Sequence, residues 1–466
     1  MRNACNVLLA ATCLSLPMLV AGENDGELKA LRTQIRAEPA TEVHAAQLLG
    51  DLDRPVGEAL KLAGLTIPAR VGDKGQLELD LKNDGKFSAY RNDQALNLNL
   101  SREGVKQPLT VRLFLKKGPD GTWTYRNVTQ LSLRIENDSF VIIDANGNGI
   151  YNEPGIDGIA LKDQSYLFPL PSAEEHWCTP TQELTGLSLG PWGEDPKASG
   201  RPLATRTPGA LNVLKGVIEE RLKLGLTPRP EDPKLSADLQ KHCAYMAANN
   251  QLTHPEDKGK PGYSPEGHEA GMRSILSMGT SAGQIAAMMV QTYFHRIDVI
   301  RPDTQAFGVG YEGKYGGIDG RTRMLAVKPS TFWPVLCPAP GQEDIALTYA
   351  KERPDATPGD ERAGYPVTVQ FDTGKLKLTG YKLRAVPAGL PPGAKLPDGP
   401  SIECYAFDPQ TGPSNGMTAF LRCVCIIPKE PLQGGTEYEV TMEVEVDGKP
   451  WTRTWRFSTH GGRKRR

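Results

Sequence analysis

Two histidines near the middle of the chain have the residue types and surroundings of a metal or acid–base site. His254 follows one helical pattern, in AsnAsnGlnLeuThrHisPro, and His295 follows another, in GlnThrTyrPheHisArg. Imidazole titrates near neutral pH and is a common metal ligand. Two such rings in one cleft could hold zinc with an open position or transfer protons. The segment between them supplies three further candidates for the same cleft, Glu266, His268 and Glu269.

An oxygen-rich stretch, residues 144–157, has the spacing of a calcium-binding loop. Calcium prefers about six to eight oxygen ligands, and alternate positions of a tight glycine-containing loop converge on one point. The predicted metal-site residues are Asp144, Asn146, Asn148, Ile150, Asn152, Glu153 and Asp157. Gly155 stands where a bidentate glutamate is usual, so Glu153 or Asp157 would have to replace it. The alternative interpretation is an Asn/Gly hairpin turn that needs no metal.

The segment GlyThrSerAlaGly, residues 279–283, matches the pattern that surrounds a nucleophilic serine. Such a serine needs a base, and only His295 and His460 follow Ser281 in the chain. His295 would lie at the far end of the helix that the serine begins, roughly 20 Å away at about 1.5 Å per residue. His460 belongs to another predicted domain. The segment is therefore interpreted as a helix start, and no catalytic residue is assigned.

The elements that must position these residues follow from the hydropathy pattern. Alternating apolar and polar residues predict strands, and apolar residues three and four apart predict helices. The predicted organisation is a signal peptide at 1–22, an N-terminal all-β domain at 23–170, a linker at 171–209, a central α+β domain at 210–328, a second linker at 329–364, an immunoglobulin-like β-sandwich at 365–460 and a basic tail at 461–466.

Charge and hydropathy narrow the function classes. The 466 residues include 54 Lys+Arg and 55 Asp+Glu, so the net charge is −1. A near-neutral chain lacks the basic surface that nucleic-acid binding requires. The apolar run 7–21 after Arg2 predicts a secretory signal peptide. We therefore expect a secreted, periplasmic or cell-surface protein with no transmembrane segment after signal cleavage.

Six cysteines remain after the predicted cleavage, and export to an oxidising compartment permits disulfide bonds. Cys404, Cys423 and Cys425 lie in one strand-rich stretch, so one disulfide is expected among them. The pairing of the remaining cysteines is open. The Cys-x-Cys pair has no second cysteine pair to complete a zinc site, so a metal there is not expected.

The stretch from Leu211 to Val327 resembles the CAP family (cysteine-rich secretory, antigen 5 and pathogenesis-related proteins) in its bacterial form. The similarity is carried, in order, by His254 and by residues 212–226, 234–250, 262–269, 293–296 and 307–311. It covers about a quarter of the chain. The resemblance implies an α-β-α sandwich, and a cleft with two histidines and two acidic residues that sometimes holds a divalent metal.

His254 matches the first histidine of the family and His295 the second. Glu269 best matches one acidic residue, with Glu266 as a rival. The other acidic residue has no counterpart, because residues 291–292 are Gln and Thr. This departure puts metal binding and catalysis by the cleft in doubt.

The preferred hypothesis is a secreted CAP-domain protein. Its His/Glu cleft would bind a small ligand, such as a lipid, or a divalent metal such as zinc. The flanking β modules would serve adhesion or spacing, with an extracellular protein or polysaccharide as a partner. One alternative is a metal-dependent hydrolase that uses the same histidine pair, although a protein without enzymatic activity is favoured. The other is a structural extracellular protein with a vestigial cleft.

Overall fold

The computed structural model describes residues 27–29 and 31–36 by their backbone, and in full residues 53–101, 109–135, 138–162, 166–203, 207–279, 281–326, 334–357, 359, 362–390, 394–412 and 422–461. The predicted signal peptide at 1–22 and the basic residues 463–466 lie outside these ranges. The described residues are mostly strands, arranged in several small sheets, with few helices. The chain divides into an N-terminal unit, residues 1–177 and 181–202, and a C-terminal unit, residues 178–180 and 203–466.

Within the described ranges, the strands up to residue 202 form four small sheets built from antiparallel pairs. Neighbouring strands in the first sheet are, in order, β3 (Arg54–Pro55), β10 (Trp123–Asn127), β9 (Leu109–Lys117) and β8 (Gln94–Leu100), and in the second β14 (Phe168–Pro169), β13 (Gly158–Leu161), β12 (Asp138–Ile143), β11 (Gln130–Ile135) and β2 (Leu31–Arg36). The third sheet has the order β4 (Ala59–Leu62), β5 (Leu65–Val71), β6 (Leu77–Leu79) and β7 (Ser88–Tyr90). The fourth has the order β1 (Glu27–Lys29), β17 (Lys197–Pro202), β16 (Gln182–Ser188) and β15 (Trp177–Cys178). The predicted alternation is confirmed in β8, where Leu96, Leu98 and Leu100 are buried.

The segment 171–209 was predicted to be a linker, but it contains the strands β15, β16 and β17. Leu184 and Leu187 of β16 are buried, which gives this strand an apolar side despite its polar and glycine-rich sequence. The segment is thus part of a sheet rather than a free connection.

Three well-capped helices open the predicted α+β domain: α1 (Pro208–Lys223), α2 (Pro233–Asn249) and α3 (Pro265–Arg273). Each begins with proline directly after a capping residue, Thr207, Asp232 or Ser264. The capping oxygen accepts a backbone N–H of the first turn, and proline fixes a helical φ where no N–H is needed. Two short helices follow, α4 (Ile285–Val290) and α5 (Arg296–Ile300).

The helices enclose a three-stranded antiparallel sheet with the order β18 (Ile275–Met278), β20 (Tyr315–Met324) and β19 (Thr304–Glu312). Gly316 and Gly317 of β20 show where the helices lie. A Cβ at Gly317 would press on Leu239 of α2, and one at Gly316 would overlap Ile285 of α4. Because consecutive strand residues face opposite sides of a sheet, α2 and α4 cover opposite faces.

Two further sheets follow and share one apolar core. The first has the order β21 (Val335–Cys337), β22 (Val367–Gln370), β25 (Cys423–Pro428) and β24 (Cys404–Phe407), and the second has the order β23 (Leu376–Ala385), β26 (Glu437–Val446) and β27 (Lys449–Ser458). Val369 and Ile426 of the first sheet pack with Val440 and Phe457 of the second. The predicted second linker, 329–364, differs from that prediction because it supplies the edge strand β21 and several buried residues.

A second apolar cluster joins the helical part of the C-terminal unit to the outer face of the first of these two sheets. Phe294 and Ile297 pack there with Phe407, Cys423 and Cys425. The helices and the two sheets therefore belong to one compact unit.

The predicted disulfide among Cys404, Cys423 and Cys425 is wrong, because these cysteines are free and buried. The strand register explains why. Cys404 lies opposite Pro428, and it is Phe407 that lies opposite Cys425. Three residues of strand separate the two cysteines along the sheet by about 10 Å, beyond the Cα–Cα distance of a disulfide. The three other described cysteines also form no disulfide bond.

Within the described ranges, the helices are too short and too polar to cross a membrane.

Candidate functional site

His254 lies in the loop between α2 and α3, and its side chain is exposed. Its Nδ1 is 2.8 Å from the carbonyl oxygen of Gly271 in α3. A carbonyl only accepts hydrogen bonds, so Nδ1 carries the proton and donates it. In the neutral ring the lone pair is then on Nε2, for which the described residues offer no hydrogen-bond partner. His254 therefore presents a base or metal-ligand nitrogen to solvent.

A buried histidine–glutamate pair, which the sequence pattern did not predict, lies beneath this loop. His242 of α2 and Glu256 of the loop both have fully buried side chains, and Nδ1 of His242 is 2.9 Å from Oε1 of Glu256. Nε2 of His242 is 2.8 Å from the carbonyl oxygen of Thr253, so that nitrogen must carry a proton. The carboxylate and Nδ1 consequently share one further proton. This pair ties the histidine-bearing loop to α2.

His268 of α3 belongs to the same network. The backbone N–H of Glu256 donates to Nδ1 of His268 at 3.0 Å, so the ring is neutral there and its proton is on Nε2. Oε2 of Glu256 accepts the backbone N–H of Ser264, the capping residue of α3. Glu256 thus joins α2, the loop and the start of α3 through three hydrogen bonds.

The two predicted acidic residues of the cleft lie on the exposed side of α3. Glu266 forms an ion pair with Lys241 of α2 at 3.3 Å, and its pKa is lowered by its own backbone amide and by that lysine. Glu269 is exposed. Gly271, on the opposite side of α3, lies so close to His242 that a Cβ there would overlap the imidazole ring. The small residue allows α3 to approach the buried pair.

His295, at the start of α5, is held by a different carboxylate. Its Nδ1 is 2.5 Å from Oε2 of Glu352, whose side chain is 1% exposed, whereas that of His295 is 16% exposed. Glu352 also accepts the backbone N–H groups of Tyr293, Phe294 and His295, and the hydroxyl of Tyr349. Five donors thus surround this buried carboxylate, whose oxygens accept a hydrogen bond from each of them. Nδ1 of His295 therefore carries a proton, and its Nε2 has no hydrogen-bond partner among the described residues.

The structure thus forms two histidine centres. The first joins His254 and His268 through the buried His242–Glu256 pair, and the second is His295 with Glu352. No hydrogen bond or ion pair in the described ranges links one centre to the other, so a cleft shared by His254 and His295 stays a prediction. In the same ranges, no group of three or more His, Cys, Asp or Glu side chains is placed to hold a metal ion.

The predicted calcium loop brings two buried carboxylates together. Asp144 accepts hydrogen bonds from Asn127 and from the backbone of Asn148 and Gly149. Asp157 accepts the backbone N–H groups of residues 145 and 153. Burial raises the pKa of Asp144. Burial, with the nearby charges of Asp144 and Glu153, raises the pKa of Asp157 to about 8.

Three of the predicted ligand residues, Asn146, Asn148 and Glu153, contact one another through their side chains. The side-chain amides of Asn146 and Asn148 both point to Oε2 of Glu153, at 2.9 and 2.7 Å. The backbone N–H of Ile150 donates to the side-chain oxygen of Asn148. Asn152 is directed elsewhere, because its amide donates to the carbonyl of residue 189. Replacement of the usual calcium-loop glutamate by Glu153 or Asp157 stays a prediction.

Ser281 is not arranged as a nucleophile. Its hydroxyl is 2.8 Å from the side-chain oxygen of Gln284, one short turn further along the chain. A 3-10 turn, Ala282–Gln284, begins directly after Ser281, which agrees with a helix start.

Comparison with known proteins gives little. No family model matches this sequence, and no curated protein matches it. A solved structure of an extracellular protein containing an SCP domain, from Bacillus anthracis str. Ames, aligns with 64% of this chain and 98% of its own length. The identity is 11% and the TM-score is 0.21, which is too low to establish a shared fold.

Proposed function

We propose that this chain is an exported protein whose domain at 210–328 is of the CAP type and binds a divalent metal ion or a small polar ligand through His254 and His295. One observation carries the proposal. In both histidines Nδ1 is engaged by an oxygen acceptor, and Nε2 is left without a partner among the described residues.

This arrangement is the usual one for a metal-binding histidine. The ligand nitrogen needs its lone pair, and a carbonyl or carboxylate at the other nitrogen fixes the tautomer and the ring orientation. Neutral imidazole suits zinc and related ions. In the proposed site, His254 and His295 would bind the ion through Nε2, and the exposed Glu269 would add a carboxylate. A bound ion would act as a Lewis acid for an oxygen-containing ligand.

The architecture of the C-terminal unit supports the proposed domain types. Helices cover both faces of the β18–β20–β19 sheet, as an α-β-α sandwich requires. When β21 to β27 are lettered A to G, the two sheets that follow have the orders A-B-E-D and C-F-G. This is the strand order of a constant-type immunoglobulin domain, and it supports the immunoglobulin-like prediction for residues 365–460.

Calorimetric titration of the full chain with Zn²⁺ tests the proposal. We expect wild-type protein to bind the ion and the variant with both His254→Ala and His295→Ala to lose binding while keeping its far-ultraviolet circular dichroism. His460→Ala is the matched control, because this histidine is 77% exposed and lies outside the helical domain. Equal Zn²⁺ binding by the double variant and by wild type would remove both histidines from the site.

We further propose that the loop at 144–157 binds Ca²⁺ and thereby stiffens the N-terminal unit. The support is that the charges of Asp144 and Glu153 lie near the buried carboxyl group of Asp157, and that the side-chain amides of Asn146 and Asn148 contact Glu153. A cation would offset the repulsion between these carboxylates. Direct Ca²⁺ titration, with Asp144→Asn as the variant and the exposed turn residue Asp120→Asn as its control, tests this site.

A further inference from the structure

The carboxylate that holds His295 lies outside the stretch that resembles the CAP family. Glu352 is 57 residues further along the chain, in a segment predicted to be a linker. That segment is joined to the end of α4 and the start of α5. The backbone N–H of Ala350 donates to the carbonyl of Gln291 at 3.1 Å, and Tyr349 packs in the apolar cluster with Tyr293.

This contact bears on the acidic residue that the resemblance leaves without a counterpart. Gln291 stands in the corresponding place. Its backbone carbonyl accepts the N–H of Ala350, which belongs to the segment that carries Glu352. A carboxylate from beyond the domain is thereby brought to within 2.5 Å of the histidine.

We propose that Glu352 is a positioning residue for His295: it fixes the Nδ1–H tautomer and keeps the Nε2 lone pair directed outward. This inference rests on the proposed function of His295 as a ligand-binding residue. Oε2 of Glu352 accepts hydrogen bonds from both the backbone N–H and the ring Nδ1 of His295. These two contacts fix the orientation of the ring relative to its own backbone. A carboxylate at Nδ1 also increases the electron density available at Nε2, which strengthens a metal or ligand bond there.

The effect on tautomer is measured first, in the unaltered full chain. Histidine labelled with nitrogen-15 and carbon-13 is observed by NMR, and the resonances of His295 are assigned by their loss in the His295→Ala variant. At pH values above those at which the ring is doubly protonated, we expect the Nδ1–H form of His295. A predominant Nε2–H form would overturn the proposal without any requirement that a variant fold.

The effect on affinity is measured with Glu352→Gln. This variant keeps an oxygen for the backbone N–H groups but removes the carboxylate charge from Nδ1. We expect Zn²⁺ affinity to fall by about 10–100-fold, as for other residues that support a metal-binding histidine. Tyr349→Phe is the matched control, because it removes one donor to Oε1 and leaves the Oε2 contact with His295, so its Zn²⁺ affinity should stay close to that of wild type.

The outcomes separate this inference from the function on which it rests. Zn²⁺ binding that is equal in wild type and Glu352→Gln would overturn the role of Glu352 and leave the histidine site intact. Absence of Zn²⁺ binding in wild type would reject the proposed metal site, and the tautomer of His295 would then decide the role of Glu352 alone.

Discussion

The buried pair of His242 and Glu256 gives the sharpest stability prediction, because two substitutions at one position should behave in opposite ways. In Glu256→Ala, Nδ1 of the fully buried His242 loses its acceptor, and so does the partly buried backbone N–H of Ser264. A buried polar group left without a partner costs about 1–3 kcal/mol. Loss of one member of a buried ion pair costs about 3–5 kcal/mol in total.

In Glu256→Gln the network is retained in neutral form. The amide oxygen accepts the N–H of Ser264, and the amide nitrogen donates to Nδ1 of His242, whose own proton is already on Nε2 toward Thr253. We therefore expect Glu256→Gln to lower the free energy of unfolding by less than about 1 kcal/mol and Glu256→Ala to lower it by about 3–5 kcal/mol.

Urea unfolding of the full chain, followed by circular dichroism, measures both values from the shift in midpoint at constant slope. Glu266→Ala serves as the control, because its ion pair with Lys241 is half exposed and its loss should leave the midpoint unchanged. If Glu256→Gln were as destabilising as Glu256→Ala, the tautomer assigned to His242 would be wrong. A loss below about 1 kcal/mol in Glu256→Ala would show that the pair does not stabilise the loop.

Three further predictions concern other parts of the chain. Gly271→Ala places a methyl group on the ring of His242 and should lower the free energy of unfolding by about 1–3 kcal/mol; Gly283→Ala, where the added group meets nothing within 4 Å, should leave the urea midpoint unchanged. Burial acts to raise the pKa of Asp408, but its hydrogen bonds outweigh burial and lower that pKa. Its contribution to stability is therefore present above about pH 4 and lost as the pH falls through the lowered pKa, so Asp408→Asn should weaken the dependence of the urea midpoint on pH in acid. Excess Ca²⁺ should raise the melting temperature of wild type relative to a chelator and leave that of Asp144→Asn unchanged; an equal rise in both would place the ion elsewhere.

Local pattern was sufficient to predict the most regular helices and strands. The apolar spacing of Leu235, Leu239 and Met246 predicted α2, and strict alternation predicted β8, because each regular structure buries one side of its own sequence. The pattern of α2 also contained evidence of the buried histidine that we did not use. His242 lies between Leu239 and Met246 on the buried side of α2, where a polar residue requires a partner.

The hydrogen-bond partners of these polar residues could not be predicted from the local pattern. Glu352 is 57 residues from His295, in a segment whose proline-rich composition is typical of a linker, and only packing in three dimensions brings the two together. The free state of Cys404 likewise depends on strand register, which cysteine spacing does not encode. In the loop at 144–157, spacing did not indicate the partner of Asn152, whose amide donates to the carbonyl of residue 189, far along the chain.

Arg296 has a practical consequence for anyone who divides this protein. Its side chain is fully buried, and its guanidinium donates to the carbonyl of Pro366 and the hydroxyl of Thr368, both from the neighbouring sheet. A fragment that stops at the end of β20 would keep the arginine but lose both acceptors, and it would also uncover the aromatic residues that flank it. Such a fragment would be expected to aggregate or unfold, so recombinant expression of the helical domain should extend through residue 461.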